Sequence, residues 1–175
     1  QGPLVDVLEE KFKKKFAKNN ECVAVGSGTD ALHLAYILAD IKKGDEVIAP
    51  LFTCTATNIP LLYIGAKIKF ADIDPRTMNI SIEHVKKLIT KKTKAIVFVN
   101  YGGIPCDLGE LNKIKKKYKV TLIQDAAQSL GSKYRNKNIT DYADFSIFSF
   151  QAIKHISSGD GGMLTFKNKK LLDKS

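Results

Sequence analysis

Apolar residues along the chain fall into two alternating patterns. Short runs rich in β-branched residues occupy positions 22–25, 46–49, 67–71, 94–99, 121–124, 145–148 and 163–166, and these predict strands. Between them, apolar positions recur at helical spacing over 29–40, 53–64, 81–88 and 108–118. An opening helix is expected over 4–17, where Leu4, Val7, Leu8, Lys11, Phe12 and Phe16 share one stripe. Strand–helix–strand repetition predicts an α/β fold, a predominantly parallel sheet with helices on both faces. Gly44-Asp45, Gly65, Asp74-Pro75 and Asn136 mark turns. No repeat, low-complexity tract or linker divides the chain, so residues 1–175 read as one domain.

Composition narrows the class of protein. With 44% hydrophobic and 26% charged residues over 175 positions, the chain can bury a sizeable core. No apolar run approaches the roughly 18 residues of a membrane span, so no membrane partner is expected. The opening Gln1-Gly2-Pro3 passes into a charged amphipathic segment rather than a signal sequence, and a start without Met is expected of a trimmed chain. Net charge is +10, carried by 26 lysines against only Arg76 and Arg135. Readers of nucleic acid favour the arginine fork and interleaved aromatic residues; neither accompanies these lysine clusters, so a solvated surface is expected and no nucleic-acid partner. Cys22, Cys54 and Cys106 lack metal-ligand spacing, which predicts no metal site and free thiols in a reducing cytoplasm. His33 is expected to be packed in a helix and His84 to be exposed.

Candidate chemistry lies in the loops after Val25, Ala49, Gln124 and Phe148, because sheets of this class bind ligands at the carboxyl ends of their strands. Gly26-Ser27-Gly28-Thr29-Asp30-Ala31-Leu32 is either a phosphate cradle at a helix N-terminus or an ordinary turn capped by Ser27 or Thr29. It has neither the ending of a Walker loop nor the second and third glycines of a dinucleotide fingerprint. In Gln124-Asp125-Ala126-Ala127-Gln128-Ser129-Leu130-Gly131, a carboxylate ends an apolar strand, where it needs a cation or several donors; a helix cap is the other reading. In Ser149-Phe150-Gln151-Ala152-Ile153-Lys154, ahead of Gly159-Asp160-Gly161-Gly162, one lysine follows a strand within an apolar stretch. It is either a desolvated amine suited to imine chemistry or a snorkelling surface lysine. Together, a phosphate cradle, a buried carboxylate and a later lysine match the needs of pyridoxal 5'-phosphate (PLP): donors for its phosphate, an anion for its ring nitrogen and an amine for its aldehyde.

These runs, with Gly65-Ala66-Lys67 and Tyr101-Gly102-Gly103-Ile104-Pro105-Cys106-Asp107, resemble the fold-type-I sugar aminotransferases of the DegT–StrS group over essentially the whole chain. The resemblance implies that Lys154 forms the Schiff base with PLP and shuttles the proton, and that Asp125 holds the ring nitrogen. It further implies Gln128 near the ring hydroxyl, and Gly28, Thr29 and Ser149 on the phosphate. Cys54 falls where an aromatic residue usually stacks on the ring, with Phe52 two residues earlier; the other reading of Cys54 is a small buried residue. The implied reaction moves an amino group, usually from glutamate, to a keto carbon of a nucleotide-linked deoxysugar, in a homodimer. Related dehydratases carry histidine at the lysine position, and here histidine is one residue later, at His155. The family continues into a smaller C-terminal domain, so 1–175 is expected to be the PLP-binding large-domain portion. The alternatives are a truncated, non-catalytic PLP-binding or regulatory domain and another fold-type-I PLP enzyme.

Overall fold

The computed structural model describes residues 2–174. In chain order its elements are α1 (Pro3–Phe16), β1 (Glu21–Val25), α2 (Gly28–Leu38), β2 (Glu46–Pro50), α3 (Thr55–Ile64), β3 (Lys67–Ala71), α4 (Ile82–Leu88), β4 (Thr93–Val99), α5 (Leu108–Tyr118), β5 (Thr121–Asp125), β6 (Lys133–Tyr134), β7 (Lys137–Asn138), β8 (Phe145–Ser149) and β9 (Gly162–Phe166). The main sheet has seven strands in the order β1-β9-β8-β5-β4-β2-β3. The pairs β2–β3, β2–β4, β4–β5 and β5–β8 are parallel. β9 alone runs against its neighbours, antiparallel to both β1 and β8. The fold is α/β, with a mostly parallel sheet.

Strand alternation divides the core into two layers. Ile96 and Phe98 of β4 join Phe12, Leu108, Leu111, Ile114 and Leu122 on the face covered by α1, α4 and α5. Ala95 and Val97, one residue out of phase, join Leu32, Ala35, Tyr36 and Leu61 on the face covered by α2 and α3. Burial on both faces is why these strands read as continuous apolar runs. Of the stripe expected on α1, only Phe12 is fully buried, against the rings of Phe148 and Phe150; Leu4, Val7 and Leu8 are exposed.

Local signals set the ends of the helices. Ser27, Ser81 and Asp107 accept the N–H three residues on, capping α2, α4 and α5. Gly65 ends α3 with a left-handed φ of 78°. The helix expected from residue 53 begins two residues later, because Cys54 keeps extended backbone at its N-cap. The turn expected at Asn136 joins two short strands, β6 and β7, that no apolar pattern announces; Arg135 and Asn136 both take positive φ there. His84 is half-buried rather than exposed, and its Nδ1 accepts the Asp72 N–H at 2.9 Å just beyond β3. No helix among the described residues is long and apolar enough to cross a membrane.

Candidate active site

The carboxyl ends of β1, β2, β5 and β8 open on one cavity of about 400 Å³. Its wall includes Gly28, Thr29, Cys54, Asp125, Gln128, Ser149 and Lys154, all seven residues singled out from the sequence. A second cavity of about 450 Å³ adjoins it, sharing Ala127, Gln128, Ile153 and Lys154 and adding Gly102 and His155. Lys154 therefore stands where the two meet. A larger cavity, about 540 Å³ around Asp74 and Arg76, contains none of these residues.

One side of the wall is a helix start. Ser27 Oγ accepts the Asp30 N–H at 3.0 Å, so Ser27 is the cap and Thr29 stays on the cavity. Gly28 and Thr29 are the first residues of α2, whose positive end therefore meets the cavity. Ser149, at the end of β8, closes against this turn: a Cβ on Gly28 would fall 2.9 Å from Ser149 Cβ. From behind, a Cβ on Gly162 would meet Ser27 O at 2.3 Å and Gly28 N at 2.8 Å. Two glycines thus let three chain segments converge here.

Asp125 ends β5 and is 5% exposed. The Ala127 N–H donates to its Oδ1 at 3.1 Å, and Thr57 Oγ1 donates to its Oδ2 at 2.7 Å. No helix follows β5, so the helix-cap reading of Asp125 is set aside. Burial pushes its carboxyl above the usual range, opposed by the Thr57 and Ala127 hydrogen bonds and by the charge of Lys154. Behind it, Thr57 Oγ1 lies 2.8 Å from Thr53 Oγ1, and Tyr36 Oη donates to Thr57 O at 2.7 Å. Thr57 and Tyr36 are fully buried, and burial followed by the Asp125 charge raises the Tyr36 phenol well above its ordinary value. Sequence reading missed Thr53, Thr57 and Tyr36. The available signal was a threonine pair four apart at an apolar helix start, with the second among buried positions.

Gln128 Oε1 accepts the Gly102 N–H at 2.8 Å, which leaves its amide N–H₂ as the group it can offer the cavity. Lys154 is half-buried, but its apolar neighbours are not: Ile153 is 83% and Ile156 52% exposed. The expected apolar stretch is therefore a loop surface, shaped by hydrogen bonds from Lys154 N to Gln151 O at 2.9 Å and from Ile153 N to Gln151 Oε1 at 3.1 Å. Cys54 is exposed on the cavity wall rather than buried, while Phe52 is absent from the wall and packs on Tyr101 with ring centroids 5.1 Å apart.

Comparison with known proteins decides the family. The model of the DegT/DnrJ/EryC1/StrS aminotransferase family matches residues 1–175. The chain belongs to this family. It is 39% identical to the GDP-perosamine synthase of Escherichia coli O157:H7 over 168 residues, 94% of this chain and 46% of that protein. Among solved structures, a Helicobacter pylori aminotransferase involved in the biosynthesis of pseudoaminic acid superposes with a TM-score of 0.94 at 32% identity, covering 99% of this chain and 47% of the other. An E. coli GDP-4-keto-6-deoxy-D-mannose-3-dehydratase with bound hydrated PLP superposes with a TM-score of 0.92 at 33% identity, covering 98% and 45%. The chain thus spans about half the length of the relatives it matches.

Proposed function

We propose that this chain is the PLP-binding large-domain portion of an aminotransferase that moves an amino group from glutamate to a keto carbon of a nucleotide-linked deoxysugar. The observation that carries the reading is the convergence of all seven residues on one cavity, with a buried carboxylate at its floor and a lysine at its mouth. Family membership and the GDP-perosamine synthase relative support the same direction.

The residues present fit PLP. The cavity can hold a substituted ring with its phosphate, and Gly28 lacks a side chain where one would collide with Ser149. Each Asp125 oxygen has one donor from the protein and keeps a lone pair for another. When bound, PLP supplies an aldehyde for amine exchange and a ring that takes up electron density.

The chain's own groups then divide the work. Gly28 and Thr29 at the start of α2, with the Ser149 hydroxyl, bind the phosphate. Asp125 is the anion that would hold the ring nitrogen in its protonated form. The Gln128 amide would hold the ring hydroxyl, and Cys54 would pack on a ring face, since Phe52 is engaged by Tyr101. Lys154 Nζ is the amine that would hold the cofactor's aldehyde, and it is the group that would carry a proton at the substrate carbon. Its place between the cavities lets substrate enter from the second one. The family resemblance puts histidine at this position in dehydratases, so lysine here favours amination.

Exposed Ile153 and Ile156 beside the site offer an apolar surface that a second copy would cover, supporting a homodimer. A monomer mass by light scattering would remove that part of the reading. Three free cysteines suit a cytoplasmic protein.

Borohydride reduction of the protein with PLP, followed by peptide mass mapping, tests the central assignment. A phosphopyridoxyl label confined to Lys154, and lost in Lys154→Ala, is expected. Labels scattered over surface lysines, with none on Lys154, would refute it.

A further inference from the structure

Asp125 does not meet the cavity alone; it ends a chain of hydroxyls. Thr57 Oγ1 sits 2.7 Å from Asp125 Oδ2 and 2.8 Å from Thr53 Oγ1, yet it carries a single hydrogen. An ionised carboxylate only accepts, so Thr57 must then donate to Asp125, and Thr53 must donate to Thr57. A protonated Asp125 can donate to Thr57 instead, which frees the Thr57 hydrogen for Thr53. The same three groups therefore satisfy one another in both charge states, by reversing the direction of the chain. The Tyr36 hydroxyl donates to the Thr57 carbonyl oxygen and so fixes the backbone from which the Thr57 hydroxyl projects.

We propose that Thr57, backed by Thr53, is the positioning residue of Asp125: it fixes the carboxylate plane toward the cavity and couples the direction of the hydroxyl chain to the carboxylate's charge. This rests on the PLP reading, in which an anion at Asp125 faces the ring nitrogen. The chain stays satisfied in either charge state of Asp125, and with a protonated ring in place it runs toward a charged one. Thr57 reaches the cofactor only through Asp125, since Thr53 and Asp125 line the cavity but Thr57 does not.

The test is PLP affinity by absorbance or fluorescence titration, for the unaltered protein and for Thr57→Val, Thr57→Ser and Thr53→Val. Valine keeps the shape of threonine and removes the hydroxyl. A hydrogen bond to a charged group predicts binding weakened about 10-fold or more in Thr57→Val, and restored to within about 3-fold by Thr57→Ser. Thr53→Val should fall between them. In the bound state, NMR of isotope-labelled PLP should find the ring nitrogen losing its proton at lower pH in Thr57→Val than in the unaltered protein. Packing alone would not move that titration. Equal affinity and equal titration in unaltered and Thr57→Val protein would overturn the proposal, as would a Thr57→Ser variant as weak as Thr57→Val. Should Thr57→Val not fold, Thr53→Val carries the same two readouts, because Thr53 is only partly buried. No PLP binding by the unaltered protein would instead overturn the PLP reading, and this proposal with it.

Discussion

At the scale of the residue, Asp125 is held at a cost to the fold. Burial raises its carboxyl above the ordinary 3.8, outweighing the hydrogen bonds of Thr57 and Ala127 and the charge of Lys154. A raised acid binds more protons folded than unfolded, so its contribution to stability is complete below the ordinary value. That contribution is lost as pH climbs through the raised one. Asp125→Asn removes the charge while the reversible hydroxyl chain accommodates an amide. The cofactor-free variant should therefore melt higher than the unaltered protein near pH 8, with the gap closing as pH falls toward 4, and it should bind PLP far more weakly. Thermal unfolding across that range checks this. A gap independent of pH, or a less stable variant at pH 8, would show that Asp125 is not a buried liability. The carboxylate is legible because it ends an apolar strand and is followed by two alanines. Its partners are not, because a threonine within an apolar helix start looks like any β-branched filler until the fold brings α3 beside β5.

At the scale of the element, periodicity located every strand of the main sheet and all five helices to within about two residues. It did not reveal β9's reversed direction, since an apolar run buried on both faces looks the same in either direction. Gly162, the last glycine of the run that follows the lysine, opens β9. It lets the start of β9 lie against the Ser27–Gly28 backbone, where an added Cβ would sit 2.3 Å from Ser27 O. Backbone cannot yield as a flexible side chain can. Gly162→Ala should therefore cost about 3 kcal/mol or more of stability, at the upper end of overpacking penalties. It should also weaken PLP binding by displacing Gly28 from Ser149. Chemical denaturation and cofactor titration of the same variant measure both effects. Lost stability with unchanged PLP affinity would mean that the turn tolerates movement and is not the phosphate cradle.

At the scale of the molecule, β9 ties the two ends of the chain together at the site. β1 meets the sheet only through β9, in register from Glu21 opposite Phe166 to Val25 opposite Gly162, and β9 continues the sheet to β8. Gly28, just after β1, and Ser149, closing β8, come from distant parts of the sequence and are brought together across this strand. If both grip the phosphate, cofactor bound at one end of the sheet must hold β1 and β9 closed, although no residue of β1 lines the cavity. Opening that unit would release the cofactor. At PLP about 100 times its dissociation constant, linkage adds about 2.7 kcal/mol to that opening, which slows amide exchange roughly 100-fold. β3 occupies the opposite edge, pairs only with β2 and contributes nothing to the cavity, so it can open with the cofactor in place. Hydrogen exchange with and without PLP should therefore slow in Glu21–Val25 and Gly162–Phe166 together while Lys67–Ala71 stays unchanged. Slowing confined to the loops after β1 and β8, with β1 itself unaffected, would mean that the site is assembled without the strand that joins its two halves.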